Sequence, residues 1–439
     1  MKQSSPLDLT KQSELTFNPI WLNALFAHAD RVWVGFSGGV DSQVLLHALL
    51  QQVSKEQKQK LAVLHVHHGL SANADAWLEN AEQICQQHAL HFEYQKVRVS
   101  SASSLEEAAR EARYQVFEDV LSAQDVLLLA HHQDDQAETI LFRLLRGTGG
   151  RGLTGMPQMR KLGQQGAYLY RPLLQVTKAQ ILHYAQKHKL QWVEDESNQD
   201  DCFSRNFLRH NILPKLQTHF TKASQNVVAS ADKLRQDYLV LTELAAEKLA
   251  HGVNEFGGLS VEWLVSQSQT QHEFWLREYL ITQDISLTLS QRLNLLTMLA
   301  SSTDKQPQCD FPLGRLMRHQ GYLYCLPVEQ PVQYGSLILG QKYQRAFDQL
   351  TLLSAHNVEL KPRPLGAKLL QTNGQHRELK KWLNDQQIPV WWREHLPYLF
   401  IQDELVAIGN LWRHPAYSSL QVNWQIDPSL PLPIKQASF

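Results

Sequence analysis

Up to Pro214 the chain alternates between short apolar or period-two runs and helix-length amphipathic segments, and this alternation constrains the fold more than any other feature. Runs at 32–36, 61–66, 91–99 and 126–130 read as strands. Segments 43–50, 73–88, 105–120 and 134–145 carry helical periodicity. In the second of these, Trp77, Ala81, Ile84 and Cys85 share a face, and Ser104-x-x-Glu107 opens the third as a capping box. Strands joined by helices of this length pair in parallel through right-handed crossovers. The expected fold is therefore α/β, an N-terminal doubly wound, Rossmann-like parallel sheet covered on both faces.

Beyond Pro214 the pattern changes. Apolar residues from 226 to 249 recur at spacings of three and four, and 270–281 and 290–299 also read as helices, so a mainly helical middle domain is expected, with a hairpin at 316–326 turning at Gln320–Gly321. The Pro-, Gln- and Gly-containing stretch that follows reads as a linker. The last part is mixed α+β, with a basic helix at 377–385 and a hairpin at 398–408. The expected boundaries are a flexible leader at 1–15, the α/β domain at 16–217, the middle domain at 218–328, a linker at 329–350 and a C-terminal domain at 351–431.

Charge narrows the classes. Lys and Arg number 42 against 43 Asp and Glu, a net charge of −1, so nucleic-acid contact has to come from local patches. One patch is visible: from 361 to 393, Lys361, Arg363, Lys368, Arg377, Lys380, Lys381 and Arg393 face only Glu378 and Asp385. If 377–385 is one helix, Arg377, Lys380 and Lys381 project from one side and form a candidate tRNA-binding face. The four cysteines form no C-x-x-C pair, which argues against a disulfide scaffold, a zinc ribbon or a ferredoxin-type cluster. No apolar run reaches the ~18 residues of a membrane span and no secretory signal opens the chain, so the expected location is the cytoplasm.

In an open α/β sheet, ligands bind at the carboxyl ends of the strands. Ser37-Gly38-Gly39-Val40-Asp41-Ser42 follows the first strand and opens a helix. Glycines let backbone N–H groups approach phosphate, the helix N-terminus adds its dipole, and both serines offer hydroxyls. With no lysine and the wrong glycine spacing, it is neither a Walker A loop nor a dinucleotide fingerprint. After the fourth strand comes His131-His132-Gln133-Asp134-Asp135-Gln136-Ala137-Glu138-Thr139. Asp135 and Glu138, at i and i+3, share a helix face and could hold a substrate ammonium or a metal. Zinc on the two histidines does not meet the usual spacing. Leu144 to Leu153 is glycine-rich with two arginines, a candidate mobile loop. Arg110 and Arg113 lie one turn apart, with surface solvation the better reading. Arg205 and Arg209, also one turn apart, could clamp a carboxylate or phosphate.

The ordered set SGGVDS, HHQDDQAET, LLRGTGGRGL, RPLL-x-x-TK, EDESN-x-D and RN-x-x-R-x-x-I-x-P resembles the tRNA(Ile) lysidine synthetase family, within the N-type ATP pyrophosphatase (PP-loop) superfamily. The pattern His376-Arg377-x-Leu379-Lys380-Lys381-x-Leu383…Ile388-Pro389…Asp403-Glu404-Leu405 resembles that family's last domain, so the likeness covers nearly the whole chain. It implies ligation of free L-lysine to C2 of the wobble cytidine of a CAU-anticodon tRNA(Ile), through an adenylated intermediate, with release of AMP and pyrophosphate. It further implies that Ser37, Gly38, Gly39, Val40, Asp41 and Ser42 hold ATP, with Mg²⁺ on Asp41. Asp135 and Glu138 would grip the lysine amines. Arg113, Arg205 and Arg209 would face phosphate, the lysine carboxylate or tRNA. The middle and last domains would bind tRNA. A homodimer is compatible with the sequence, which does not set the oligomeric state.

Three rivals remain. A tRNA thiolase on the same loop would need a reactive cysteine; Cys85 reads as core, Cys202 less clearly so. An amidotransferase synthetase would need a glutaminase nucleophile, and no N-terminal cysteine exists. A non-catalytic tRNA-binding protein would have no need of intact Ser37, Asp41, Asp135 and Glu138.

Overall fold

A computed structural model of the chain describes residues 15–69, 71, 73–97, 105–163, 166–193, 204–300, 308–311, 314–371 and 373–434. Residues 1–14 of the expected leader, Ser104 of the capping box, the acidic segment 194–200 and Cys202 lie outside the described residues. The chain divides into two compact units, Met1–Leu239 and Val240–Phe439.

In the first unit, α1 (Pro19–His28) leads into β1 (Val32–Gly35), α2 (Val40–Leu50), α3 (Lys55–Lys60), β2 (Leu61–His67), α4 (Ala74–Gln87), β3 (His91–Lys96), α5 (Leu105–Val120), β4 (Val126–Leu128) and α6 (Gln133–Leu145). A short α7 (Gly150–Leu153), β5 (Met159–Leu162), β6 (Ala167–Tyr170) and α8 (Lys178–Lys187) complete the sheet layer. The strand order is β3-β2-β1-β4-β6-β5, all parallel except β5, which runs antiparallel to β6 at the edge. Period-two alternation sends successive residues to opposite faces. Val32, Val34, Val63 and Leu128 join a core with Trp21, Leu45 and Ile181, while Trp33, Leu64, Leu127 and Leu169 join another with Phe117. Both faces are thus buried, as a parallel sheet requires. The strand order reverses direction between β1 and β4, so the loops leaving these two strands open side by side.

The unit continues through α9 (Ser204–Phe207), a π-helical turn Leu208–Ile212, α10 (Leu213–His219) and α11 (Ala223–Leu249), within which the boundary between the units falls.

In the second unit, α12 (Val261–Ser266), α13 (His272–Thr282) and α14 (Leu289–Ala300) contribute to a core containing Leu264, Trp275, Leu276, Tyr279 and Leu295. The expected hairpin forms between β9 (Gly314–His319) and β10 (Tyr322–Pro327). Gln320 and Gly321 turn it at φ of 49° and 81°, the left-handed region that favours glycine. Two further strands, β7 (Leu259–Ser260) and β8 (Gln308–Phe311), extend it to a four-stranded sheet.

The stretch 329–350, expected as a linker, instead carries β11 (Gly335–Leu337), β12 (Lys342–Gln344) and the start of β13 (Asp348–Leu352). β11 pairs with β14 (Val358–Lys361), and β13 pairs with β20 (Val422–Ile426). These strands are too short to announce themselves, and their pairing with distant partners overrides local propensity. β15 (Lys368–Leu370) and β16 (His376–Glu378) form a ribbon followed by α15 (Leu379–Asp385) and α16 (Val390–Arg393). β14, β17 (Tyr398–Ile401), β18 (Glu404–Ile408) and β19 (Trp412–Arg413) continue the sheet begun by β11. Trp382, Leu383, Trp392, Tyr398 and Trp424 fill the core. Arg377 therefore sits on a strand, not on the basic helix that spacing suggested: its β-ladder partner Leu369 and the cap at Glu378 delay the helix to Leu379. Among the described residues, no helix is long and apolar enough to cross a membrane.

Candidate active site

The loop after β1 is an anion cradle. Gly38 adopts φ +85°, a conformation that L side chains rarely take. Ser37 N–H donates to Ser42 Oγ at 3.3 Å, and Ser42 Oγ donates to the Gly39 carbonyl at 2.9 Å, which ties the loop across its own mouth. Gly39 caps α2 without any side-chain hydrogen bond, so the first-turn amides keep their donors for a ligand.

The loop after β4 faces it. His132, 4 % exposed, is the N-cap of α6: its Nδ1 accepts the Asp135 N–H at 3.4 Å, and Asp135 Oδ2 accepts the His132 N–H at 3.0 Å. With Nδ1 accepting, the ring proton lies on Nε2, which points toward Asp41 Oδ1 at 3.6 Å and Asp135 Oδ2 at 3.5 Å. The histidine thus spaces the two acidic groups. Asp134 accepts the backbone N–H of Lys178 at 2.8 Å and so serves α8 rather than a ligand.

A cleft of about 370 Å³ runs between these loops; Ser37, Asp41, Ser42, Arg113, His131 and Asp135 are among the residues that line it. Desolvation in its wall, against the pull of Asp135, pushes His131 down to about 3, so the imidazole is neutral; its Nδ1 is shielded and meets no hydrogen-bond partner among the described residues. Among the described residues no group of three or more His, Cys, Asp or Glu side chains converges as a metal cage.

The acidic pair does meet on one side of α6, and it meets an arginine. Arg209, on the π-helical turn, donates through Nε to Glu138 Oε1 at 2.7 Å, through Nη2 to Glu138 Oε2 at 2.8 Å, and again through Nη2 to Asp135 Oδ1 at 3.1 Å. Glu138 is 3 % exposed, and burial pushes its carboxyl up against the pull of Arg209. Burial acts on Asp135 in the same sense, but His132, His131, the backbone and Arg209 together hold it below the usual carboxylate range. Arg209 stays firmly charged, since both carboxylates outweigh its own desolvation. The spacing left Arg205 and Arg209 able to clamp a carboxylate or phosphate; in the structure the Arg209 guanidinium is held by the Asp135 and Glu138 carboxylates.

Arg205 is not brought into the cleft lining; its guanidinium carbon lies 5.8 Å from the centre of the Phe142 ring. The glycine-rich stretch after α6 carries α7, and Arg143 Nη1 braces it through the carbonyls of Gly152 and Gly155 at 2.9 and 2.8 Å. Cys85 is buried, and desolvation pushes its thiol up to about 12, which removes it as a nucleophile. In the second unit, Arg377 Nε donates to Asp385 at 2.8 Å and Lys381 reaches Glu378 at 3.1 Å, so two of the three basic side chains on the candidate tRNA face already have acidic partners.

One residue escaped the sequence reading of the site. Lys178 Nζ donates to Asp41 Oδ1 at 2.6 Å, bridging α8 to the anion cradle. The signal was available in the RPLL-x-x-TK motif, which ends on Lys178 and to which no role was given; a Thr177–Gln180 capping box fixes the start of α8 there.

Residues 9–216 match the PP-loop domain family, an ATP-binding domain, and residues 358–427 match the TilS substrate C-terminal domain. The tRNA(Ile)-lysidine synthase of Pseudomonas fluorescens (strain Pf0-1) is 38% identical over 393 residues, covering 86% of this chain and 88% of that protein. Those of Pseudomonas aeruginosa (37% over 399 residues, 86% and 89%) and Pseudomonas putida (36% over 428 residues, 92% and 97%) are similar to the same extent. With relatives this similar along most of both chains, and with the two domain matches, the chain belongs to the tRNA(Ile)-lysidine synthase family of enzymes.

Proposed function

We propose that the chain joins free L-lysine to C2 of the wobble cytidine of a CAU-anticodon tRNA(Ile). In the first step the cytidine O2 attacks the α-phosphorus of ATP, and pyrophosphate leaves. The open amides of α2 and the Ser37 and Ser42 hydroxyls receive the pyrophosphate charge. Mg²⁺ binds through one or two carboxylates plus substrate phosphates rather than in an all-protein cage. Asp41, the carboxylate on the cradle, suits that role, and its oxygen already accepts a hydrogen bond from the Lys178 ammonium. When bound, the ion would draw charge off the phosphate oxygens.

In the second step the lysine side-chain nitrogen attacks C2, the C2–O2 bond breaks, and AMP departs with the oxygen. An ammonium with an ordinary pKa of about 10.4 must first lose a proton. Asp135 and Glu138 orient it, and Glu138, whose carboxyl burial pushes up, is the better acceptor. The observation that carries this reading is Arg209: a charged nitrogen group held by both carboxylates beside the phosphate cradle marks where an ammonium would sit. Lysine would take the guanidinium's place.

Incubation of the purified protein with ATP, labelled lysine and unmodified tRNA(Ile) transcript, followed by nucleoside analysis, tests it. Label in a modified cytidine is the expected result. Nucleosides without label, whether or not ATP is consumed, would return the reading to the rivals.

A further inference from the structure

Three arginines converge on one phenol of the cleft wall. The guanidinium carbons of Arg110 and Arg160 lie 5.1 and 5.0 Å from the centre of the Tyr114 ring, and Arg171 Nη2 donates to the Tyr114 hydroxyl at 3.4 Å. Arg171 is 2 % exposed; its Nη1 donates to the Pro157 carbonyl at 2.8 Å, and its Nε is shielded without an acceptor. Among the described residues, Arg110, Arg160 and Arg171 bond to rings, a phenol and carbonyls, and none is paired with a carboxylate. Burial alone would push Tyr114 up; the three charges hold it below the ordinary tyrosine range. Cations collected this closely repel one another and favour an anion.

The position says which anion. Tyr114 lines the cleft, whereas Arg110 and Arg160 do not. A nucleotide or amino acid held within that lining would meet Tyr114 but neither arginine. An anion reaching both arginines has to belong to a molecule that leaves the cleft, and a polynucleotide carries such anions along its length. Guanidinium groups over aromatic rings are also the chemistry of single-strand sites. The pattern continues on α6, where Arg146 lies 4.3 Å and Arg205 5.8 Å from the centre of the Phe142 ring.

The geometry points to a phosphodiester subsite formed by Arg110 and Arg160 around Tyr114, with Arg171 buried behind it as the support of the phenol. It takes the RNA backbone next to the base that enters the cleft, and it rests on the tRNA-substrate reading above. The spacing of Arg110 and Arg113 in sequence favoured plain solvation; the ring between Arg110 and Arg160 is what only the fold supplies.

The test is Arg110→Gln/Arg160→Gln, which keeps a polar side chain on an aliphatic stem and removes the charge. Titration with the tRNA transcript at several salt concentrations should show binding weakened about tenfold or more and a log–log salt slope shallower by about 0.7–0.9, for the one phosphate that the two arginines share. The KM values for ATP and lysine should stay within about twofold, because neither contact is to a small substrate. If the double variant melts early, Arg110→Gln alone should still weaken binding and flatten the slope, by less than the double variant. An unchanged slope in a folded variant would mean that the arginines only brace Tyr114. A raised KM for ATP or lysine with an unchanged slope would assign the anion to that substrate. Either result overturns the subsite while leaving an active wild type intact; a wild type that neither binds tRNA nor makes lysidine overturns the parent reading instead.

Discussion

The acidic pocket on α6 and the basic strand–helix of the second unit look alike as charge runs, yet they are built differently. Glu138 is 3 % exposed, and its partner Arg209 arrives from 71 residues away. Arg377 and Lys381 are exposed and pair with Asp385 and Glu378, which lie eight and three residues away. A buried, hydrogen-bonded charge is costly to orphan, whereas an exposed pair contributes about 0–1 kcal/mol. The same residue types are therefore a buried, fully bonded cluster in one region and exposed, weakly coupled pairs in the other. Substitutions can break or sharpen that contrast.

The largest effect is expected at Asp41→Asn. The change removes the carboxylate of the cradle and leaves Lys178 without its partner. Pyrophosphate release in the presence of tRNA should fall by about 100-fold or more, with an unaltered melting curve. Ordinary turnover at saturating Mg²⁺ would remove Asp41 from the reaction.

Next comes Glu138→Gln. One charge-assisted bond to an ammonium is worth about 1.5–3 kcal/mol, so the KM for lysine should rise about 10- to 100-fold while that for ATP barely moves. The wild type adds a pH signature. Because burial pushes Glu138 up, it takes on a proton at higher pH than an exposed glutamate. As pH falls, the lysine KM should therefore begin to climb while still above the ordinary glutamate range of about 4.3. Glu138→Gln should abolish that climb; a climb that persists would belong to another group.

Arg209→Ala should be smaller in activity but visible in stability. It leaves Glu138 buried without its two hydrogen bonds, a loss of about 1–3 kcal/mol. Millimolar lysine should then raise the melting temperature of the variant more than that of the wild type, because an incoming ammonium supplies the missing charge. Equal stabilisation of both proteins would mean that lysine does not use the guanidinium's place.

The same contrast explains what the sequence could disclose. The sheet was legible because a buried parallel strand such as Val126–Leu128 must be wholly apolar, and the cradle because glycine is needed where Gly38 turns. Asp135 and Glu138 were legible as a pair because helical spacing alone brings them to one face. That Arg209 would fill their pocket was not, since a 71-residue separation and a π-helical turn carry no local signal. Lys178 stood in the RPLL-x-x-TK motif, but its contact with Asp41, 137 residues away, was hidden for the same reason. Arg377 misled because a basic run reads as helix until β15 claims it as a strand.

The smallest effect tests that last misreading. If 377–385 were one basic helix, Arg377→Ala, Lys380→Ala and Lys381→Ala would each remove a phosphate contact. In the structure Arg377 is held by Asp385 and Lys381 by Glu378, while Lys380 is exposed on α15. To reach a phosphate, the first two must leave a carboxylate, which offsets most of the gain; Lys380 bears no such cost. Lys380→Ala should therefore flatten the salt slope of tRNA binding by about 0.7–0.9, and Arg377→Ala and Lys381→Ala by less. Folding stability should change by no more than about 0.5 kcal/mol in each, as for surface substitutions generally. Removing the competitors should have the opposite sign: Asp385→Asn frees Arg377 and should steepen the slope. If all three basic substitutions act equally, the exposed pairs open at no cost and the face works as the uniform patch that the sequence suggested. If none acts, this face only solvates α15, and the second unit must hold tRNA elsewhere.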